Sequence, residues 1–115
     1  MEATIYHNPA CTTSRKTLAI LEEACADITI IRYLETPPAR AELERLYRRA
    51  GMSAREGLRA REPFAVELGL TGEGVSDNAI LDAMVAHPIL IERPLVETAK
   101  GVKLCRPQEL VRSLL

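Results

Sequence analysis

Residues 3–31, ATIYHNPACTTSRKTLAILEEACADITII, decide the fold. Ala3-Thr4-Ile5-Tyr6 is β-branched and aromatic and reads as a strand. Pro9 breaks that run. From Thr13 the apolar residues recur at helical spacing, with Leu18, Leu21 and Cys25 on one face. Ile28-Thr29-Ile30-Ile31 reads as a second strand, expected to be buried on both sides. Strand, helix and strand within about 30 residues form a βαβ unit, which makes the two strands parallel.

Beyond this unit, Thr36-Pro37-Pro38 stops the second strand and opens a helix whose apolar face is Leu43, Leu46, Tyr47 and Ala50. Gly51 ends it, and Ser53 caps a short following helix. Residues 59–75 are polar and broken by Pro63, Gly69, Gly72 and Gly74, with a helical signal around Phe64 to Leu68. Ser76 caps a helix carrying Ile80, Leu81, Met84 and Val85, and His87-Pro88 ends it. Residues 95–98 and 102–105 alternate as a hairpin around a three-residue turn, Ala99-Lys100-Gly101. Pro107 opens a last helix with Leu110, Val111 and Leu114 facing inward. The order β-α-β, then helices, then β-β-α predicts an α/β, thioredoxin-like mixed sheet with a helical insertion between its halves.

At 115 residues the chain reads as a single domain, 1–115, able to bury a core without staples. Its 47% hydrophobic and 27% charged content are those of a soluble globular protein. A net charge of −1 gives no overall attraction to nucleic acid or to a membrane surface. The start, Met-Glu-Ala-Thr, has neither the basic region nor the apolar stretch of a signal peptide. No apolar run approaches the roughly 20 residues that cross a bilayer. Three cysteines at unrelated spacings fit neither a disulfide scaffold nor a zinc ribbon and point to a reducing cytoplasm. With two histidines in the chain, no metal site is expected.

Cys11 carries the chemistry. At the first turn of a helix its sulfur meets free backbone N–H groups and the positive end of the dipole, which lower a thiol pKa. His7, Arg15 and Lys16 add positive charge, and Thr12, Thr13 and Ser14 supply hydroxyls. A free cysteine is commonly a small buried hydrophobe. Pro9 and the three hydroxyl residues make this a polar turn, which favours the reactive reading. Cys25, on an apolar helix face, and Cys105, ending a strand, read as packing. For His7 three roles stand open: tuning Cys11, bonding to backbone as a structural residue, or acting as a base.

Arg93 precedes Pro94 at the entry to the hairpin and Arg106 precedes Pro107 at its exit, so the two guanidiniums share one end. Arg59 and Arg61 lie in the polar segment. Most arginines are solvated. Arginines converging beside a thiolate nevertheless suit a tetrahedral oxyanion, because each planar fork donates two bonds at once.

Four stretches carry a resemblance to one family. They are Ile5-Tyr6-His7-Asn8-Pro9-Ala10-Cys11 continuing through Thr13-Ser14-Arg15, Tyr33-Leu34-Glu35-Thr36-Pro37-Pro38, His87 to Pro94 (HPILIERP), and Leu104-Cys105-Arg106-Pro107. In this order and spacing the chain resembles the glutaredoxin-dependent arsenate reductases over essentially its whole length, without the longer C-terminal tail of some members. The resemblance implies a thioredoxin-like fold in which Cys11 is the nucleophile and Arg59, Arg93 and Arg106 hold the arsenate oxygens. It implies a cis Arg93–Pro94 bond and links His7 and Ser14 to thiolate stabilisation. Arg61 has no such support. It also implies glutathione as cosubstrate, glutaredoxin as partner, and no bound cofactor. Ser14 stands where a Cys-x-x-Cys protein holds its resolving thiol, so the reducing thiols must be borrowed. Two alternatives remain: a relative acting on another oxyanion or thiol substrate, and a redox-type regulator binding RNA polymerase.

Overall fold

A computed structural model describes residues 1–24 and 27–115. The chain divides into two compact units, one made of residues 1–36 and 93–115 and the other of residues 37–92. The first contains β1 (Glu2–Tyr6), α1 (Thr12–Glu23), β2 (Asp27–Ile31), β3 (Leu95–Thr98), β4 (Gly101–Leu104) and a 3₁₀ helix, Gln108–Leu114. The four strands lie in the order β2-β1-β3-β4. β1 pairs parallel with β2 and antiparallel with β3, and β3 pairs antiparallel with β4. This is the thioredoxin-like mixed sheet that the β-α-β and β-β-α halves predict.

The alternating residues Ala3 and Ile5 of β1 and Val96 of β3 pack with Leu21, Cys105, Val111 and Leu114 into one buried cluster. Burying each large aliphatic side chain contributes about 1.5–3 kcal/mol. α1 turns a partly polar stripe inward: Ser14, Thr17 and Leu21 are its buried residues. The Thr17 hydroxyl is satisfied there, donating to the Thr13 carbonyl at 2.8 Å. Cys25 lies outside the described residues.

Three expectations are corrected in this unit. β2 is not buried on both sides: it occupies a sheet edge, with β1 as its one neighbour, and Ile30 is 48% exposed. The hairpin turn has two residues, because Gly101 already pairs with Thr98. Leu110 is 41% exposed, since the last helix is 3₁₀ rather than α. Three residues per turn align Val111 with Leu114 and rotate Leu110 off that face.

The second unit holds α2 (Arg40–Ala50), α3 (Ala54–Gly57), α4 (Pro63–Glu67), α5 (Asp77–Ala86) and a short 3₁₀ turn, Pro88–Leu90. Leu43, Leu46 and Tyr47 form the buried face of α2, as the spacing predicts, and Gly51 ends the helix in the left-handed conformation at φ 67°. Ser53 and Glu56 close a reciprocal capping box on α3, and the Ser76 hydroxyl accepts from Ala79 N–H at the start of α5. Gly57 is required by packing. A Cβ there would stand 2.4 Å from the Tyr47 ring. Val85, expected inside α5, is exposed, whereas Ile80, Leu81 and Met84 are buried.

Just past Gly57 the chain meets the segment after α5. Arg59 N–H donates to the Leu90 carbonyl at 2.8 Å and Glu92 N–H to the Gly57 carbonyl at 2.9 Å, with Leu58 facing Ile91 as an antiparallel bridge. These two bonds fix the backbone from which the Arg59 side chain leaves.

Candidate active site

β1 ends at Tyr6, and the loop that follows is held at every step. His7 N–H donates to the Ile31 carbonyl at 2.8 Å. The Asn8 side-chain oxygen accepts from Ala10 N–H at 3.0 Å, and its backbone carbonyl accepts from Cys11 N–H at 3.0 Å. The Arg15 guanidinium donates to the Pro9 carbonyl at 2.8 Å and to the Thr12 hydroxyl at 3.2 Å. This ties the first turn of α1 back to the loop. The turn chemistry of Asn8 was legible in its residue type. The part played by Arg15 was missed, because a bond six residues back has no local sequence signature.

Cys11 is the N-cap of α1, in extended conformation at φ −92° and ψ 120°, and is 7% exposed. Its thiol makes no cap hydrogen bond, but the nearby donors favour the anion. Burial pushes the thiol up. Against it act the Ser14 backbone N–H, the charge of Arg93, and side-chain hydrogen bonds from Arg106 and Arg93. The opposing donors win, and the Cys11 pKa lies below that of an ordinary thiol.

The hairpin supplies both arginines. Leu95 of β3 pairs with Leu104 of β4, so the residues just outside the strands, Arg93 and Arg106, stand at the same end. One Arg106 nitrogen, Nη1, donates to the Cys11 sulfur at 3.7 Å and to the Arg93 carbonyl at 3.1 Å. Arg93 is buried. Both the Arg93–Pro94 and Arg106–Pro107 bonds are cis; the family resemblance implied the first and not the second.

His7 and Ser14 meet each other rather than acting separately. His7 Nδ1 and Ser14 Oγ share a hydrogen bond of 2.6 Å, and Asn8 N–H also donates to Ser14 Oγ, at 3.1 Å. Both side chains are buried. Burial lowers the His7 pKa first, helped by the charges of Arg32 and Arg15, so the imidazole is neutral at pH 7. A neutral ring bonded to Ser14 orders the turn; it brings no positive charge to the sulfur.

Arg59 belongs to the other unit. Its Nη1 donates to Glu62 at 3.1 Å, while its Nε is buried and has no hydrogen-bond partner among the described residues. Arg61 is engaged differently, donating to both carboxylate oxygens of Glu92 at 2.7 and 3.2 Å. Cys105 is fully buried in the apolar cluster, and burial pushes its thiol up to about 12, only partly offset by the charge of Lys103. Among the described residues no group of three or more histidine, cysteine or acidic side chains could hold a metal ion. None of the described helices is long and apolar enough to cross a membrane.

A sequence model of the ArsC family matches residues 6–114. The chain belongs to the ArsC family. It is 51% identical to the arsenate reductase of Rhizobium meliloti (strain 1021), over all of this chain and 82% of that protein. It is 50% identical to the arsenate reductase of Escherichia coli (strain K12), over 97% of this chain and 79% of that one. A solved structure, the arsenate reductase from Vibrio cholerae, superposes with a TM-score of 0.95 at 43% identity, covering 100% of this chain and 98% of the other. The ArsC match thus spans the loop of Cys11 and the hairpin end that carries Arg93 and Arg106.

Proposed function

We propose that this chain is an arsenate reductase that uses glutathione and glutaredoxin as its source of electrons. The observation that carries the reading is a thiol held below its ordinary pKa at the start of α1, with the Arg106 guanidinium hydrogen-bonded to it and the charge of Arg93 acting on it. Arsenate resembles phosphate, which carries about −1.5 to −2 charges near neutral pH. Arg59, Arg93 and Arg106 take its oxygens and neutralise that charge, so that a second anion, the thiolate, can approach. Of the two arginines in the polar segment, Arg59 is the ligand: it keeps a buried Nε unmet, whereas Arg61 is paired with both oxygens of Glu92.

The Cys11 thiolate attacks arsenic(V), an arsenic–oxygen bond breaks, and protonated hydroxide leaves as water, giving a Cys11–arsenate adduct. The glutathione thiolate then attacks the Cys11 sulfur. The sulfur–arsenic electron pair departs with arsenic, which leaves as arsenite, and a Cys11–glutathione disulfide remains. A glutaredoxin thiolate removes the glutathione and regenerates Cys11. Two electrons thus pass from thiols to arsenic. Dependence on glutathione places the reaction in a reducing compartment such as the cytoplasm.

The test is arsenate-dependent NADPH oxidation coupled through glutathione, glutaredoxin and glutathione reductase, with wild type beside Cys11→Ser. Turnover in wild type that is lost in Cys11→Ser is expected. No turnover in wild type, with every coupling component verified, would overturn the reading and leave another oxyanion or thiol substrate for this site.

A further inference from the structure

We propose that Glu62 is a positioning residue for arsenate, acting through Arg59. The inference rests on the reading of Arg59 as an arsenate ligand and extends it to the group that aims the guanidinium. Arg59 and Glu62 form a tight local unit. Glu62 N–H donates to the Arg59 carbonyl at 3.0 Å, and Arg59 Nη1 donates to Glu62 Oε2 at 3.1 Å. Their side chains are 23% and 16% exposed, and the Arg59 side chain is less exposed than those of Arg40, Arg45 and Arg61 in the other arginine–carboxylate pairs of this unit. The Arg59 backbone is itself pinned to Leu90.

Glu62 also forgoes the task its position offers. It is the N-cap of α4, where a carboxylate ordinarily accepts from the first free N–H groups, yet it makes no cap hydrogen bond. Its carboxylate is spent on Arg59 instead. The guanidinium so held is not a satisfied structural ion pair, because its Nε stays buried and unmet. A buried charged donor without a partner is unfavourable until something accepts from it. Arg59 is thus fixed at one nitrogen and unmet at another, buried one. Holding a long side chain in place before the anion arrives removes an ordering cost from binding. Glu62 therefore acts by reach and direction rather than by its charge, which by itself opposes an incoming anion.

Two substitutions separate reach from charge. Glu62→Gln keeps an acceptor oxygen at the same distance and loses the charge; Glu62→Asp keeps the charge and withdraws it by one methylene. In the coupled assay Glu62→Asp and Glu62→Ala are expected to raise the KM for arsenate about tenfold, the size seen when a liganding group loses its supporting partner. Their kcat should stay within about twofold of wild type, and Glu62→Gln should restore the KM to within about twofold. In an Arg59→Ala background, Glu62→Ala should add nothing further.

Each other result has one meaning. If Arg59→Ala leaves the KM unchanged, the reading of Arg59 as a ligand falls, and this proposal with it. If Arg59→Ala raises the KM while Glu62→Ala and Glu62→Asp do not, the proposal alone is overturned. A lower KM in Glu62→Gln overturns it too, by making Glu62 a competitor of the anion. Should Glu62→Ala fail to fold, the order of Glu62→Asp and Glu62→Gln decides: Gln worse than Asp sinks the idea.

Discussion

Cys11 and Cys105 are two thiols in the same compact unit, 7% and 0% exposed, yet their acidities diverge in opposite directions. Burial disfavours the thiolate at both. Around Cys105 the neighbours are aliphatic: Ala3, Ile5, Leu21, Val96, Val111 and Leu114 belong to its cluster. There the thiol donates to the Lys103 carbonyl at 3.6 Å and sits in the core as a small hydrophobe. Around Cys11 the neighbours are donors: the Ser14 N–H, Arg93 and Arg106. Low exposure makes an inert thiol in one place and strengthens the fields acting on a reactive one in the other. What separates them is the set of groups that replaced water.

The largest break in that comparison is expected from Cys11→Ser. Turnover should fall at least about 1,000-fold, as when a nucleophile is removed, while Cys105→Ser turns over like wild type; the coupled NADPH assay reads both. Comparable losses in the two would erase the distinction.

Next in size is the loss of a donor. Arg106→Ala or Arg93→Ala should lower kcat/KM for arsenate about 100-fold, the magnitude of removing one preorganised anion-stabilising group. Either change should also move Cys11 toward the acidity of an ordinary thiol.

The pH profile of alkylation sharpens the point without arsenate. Cys11 is held below the pKa of an ordinary thiol, so its thiolate persists at pH values where an ordinary thiol is already protonated, and is lost as pH falls through its depressed value. Iodoacetamide labelling followed by peptide mass spectrometry should give Cys11 a midpoint below that of a free cysteine in an unfolded peptide labelled alongside it. Arg106→Ala should shift that midpoint upward. Cys105, pushed up to about 12, should stay unlabelled in the folded protein throughout this range. A Cys11 midpoint at or above that of a free thiol would contradict the balance of groups around it.

The smallest effect is on stability. Cys105→Ser places a hydroxyl in the aliphatic cluster and should lower unfolding free energy by about 1–3 kcal/mol with activity retained. Urea titration measures it.

The reactive side of this comparison was legible in the sequence, since Pro9 and the hydroxyls of residues 12–14 mark a polar turn at a helix start. The sheet was legible for a related reason: hydrophobic runs of strand length separated by a helical period admit few topologies. Failures occurred where a residue's surroundings come from distant chain. Ile30 is apolar and β-branched like a core strand residue, but only the sheet order shows that β2 is an edge. Leu110 carries a helical spacing, and only the backbone shows that the turn is 3₁₀. His7 and Ser14 were each visible as candidates, whereas their 2.6 Å bond was not. Glu62 gave no signal at all, because an acidic residue before a proline is ordinary, and its partner three residues back is apparent only once Arg59 is fixed on Leu90.

The hairpin offers a practical handle. The separation of Arg93 from Arg106 is set by the Leu95–Leu104 pair beside them, while the turn at Ala99 and Lys100 lies at the opposite end of the same two strands. Chain inserted at that tip would lengthen the connection without changing the register that matters for the arginines. A tag or spectroscopic label threaded there travels with the protein and leaves the chemistry where it was.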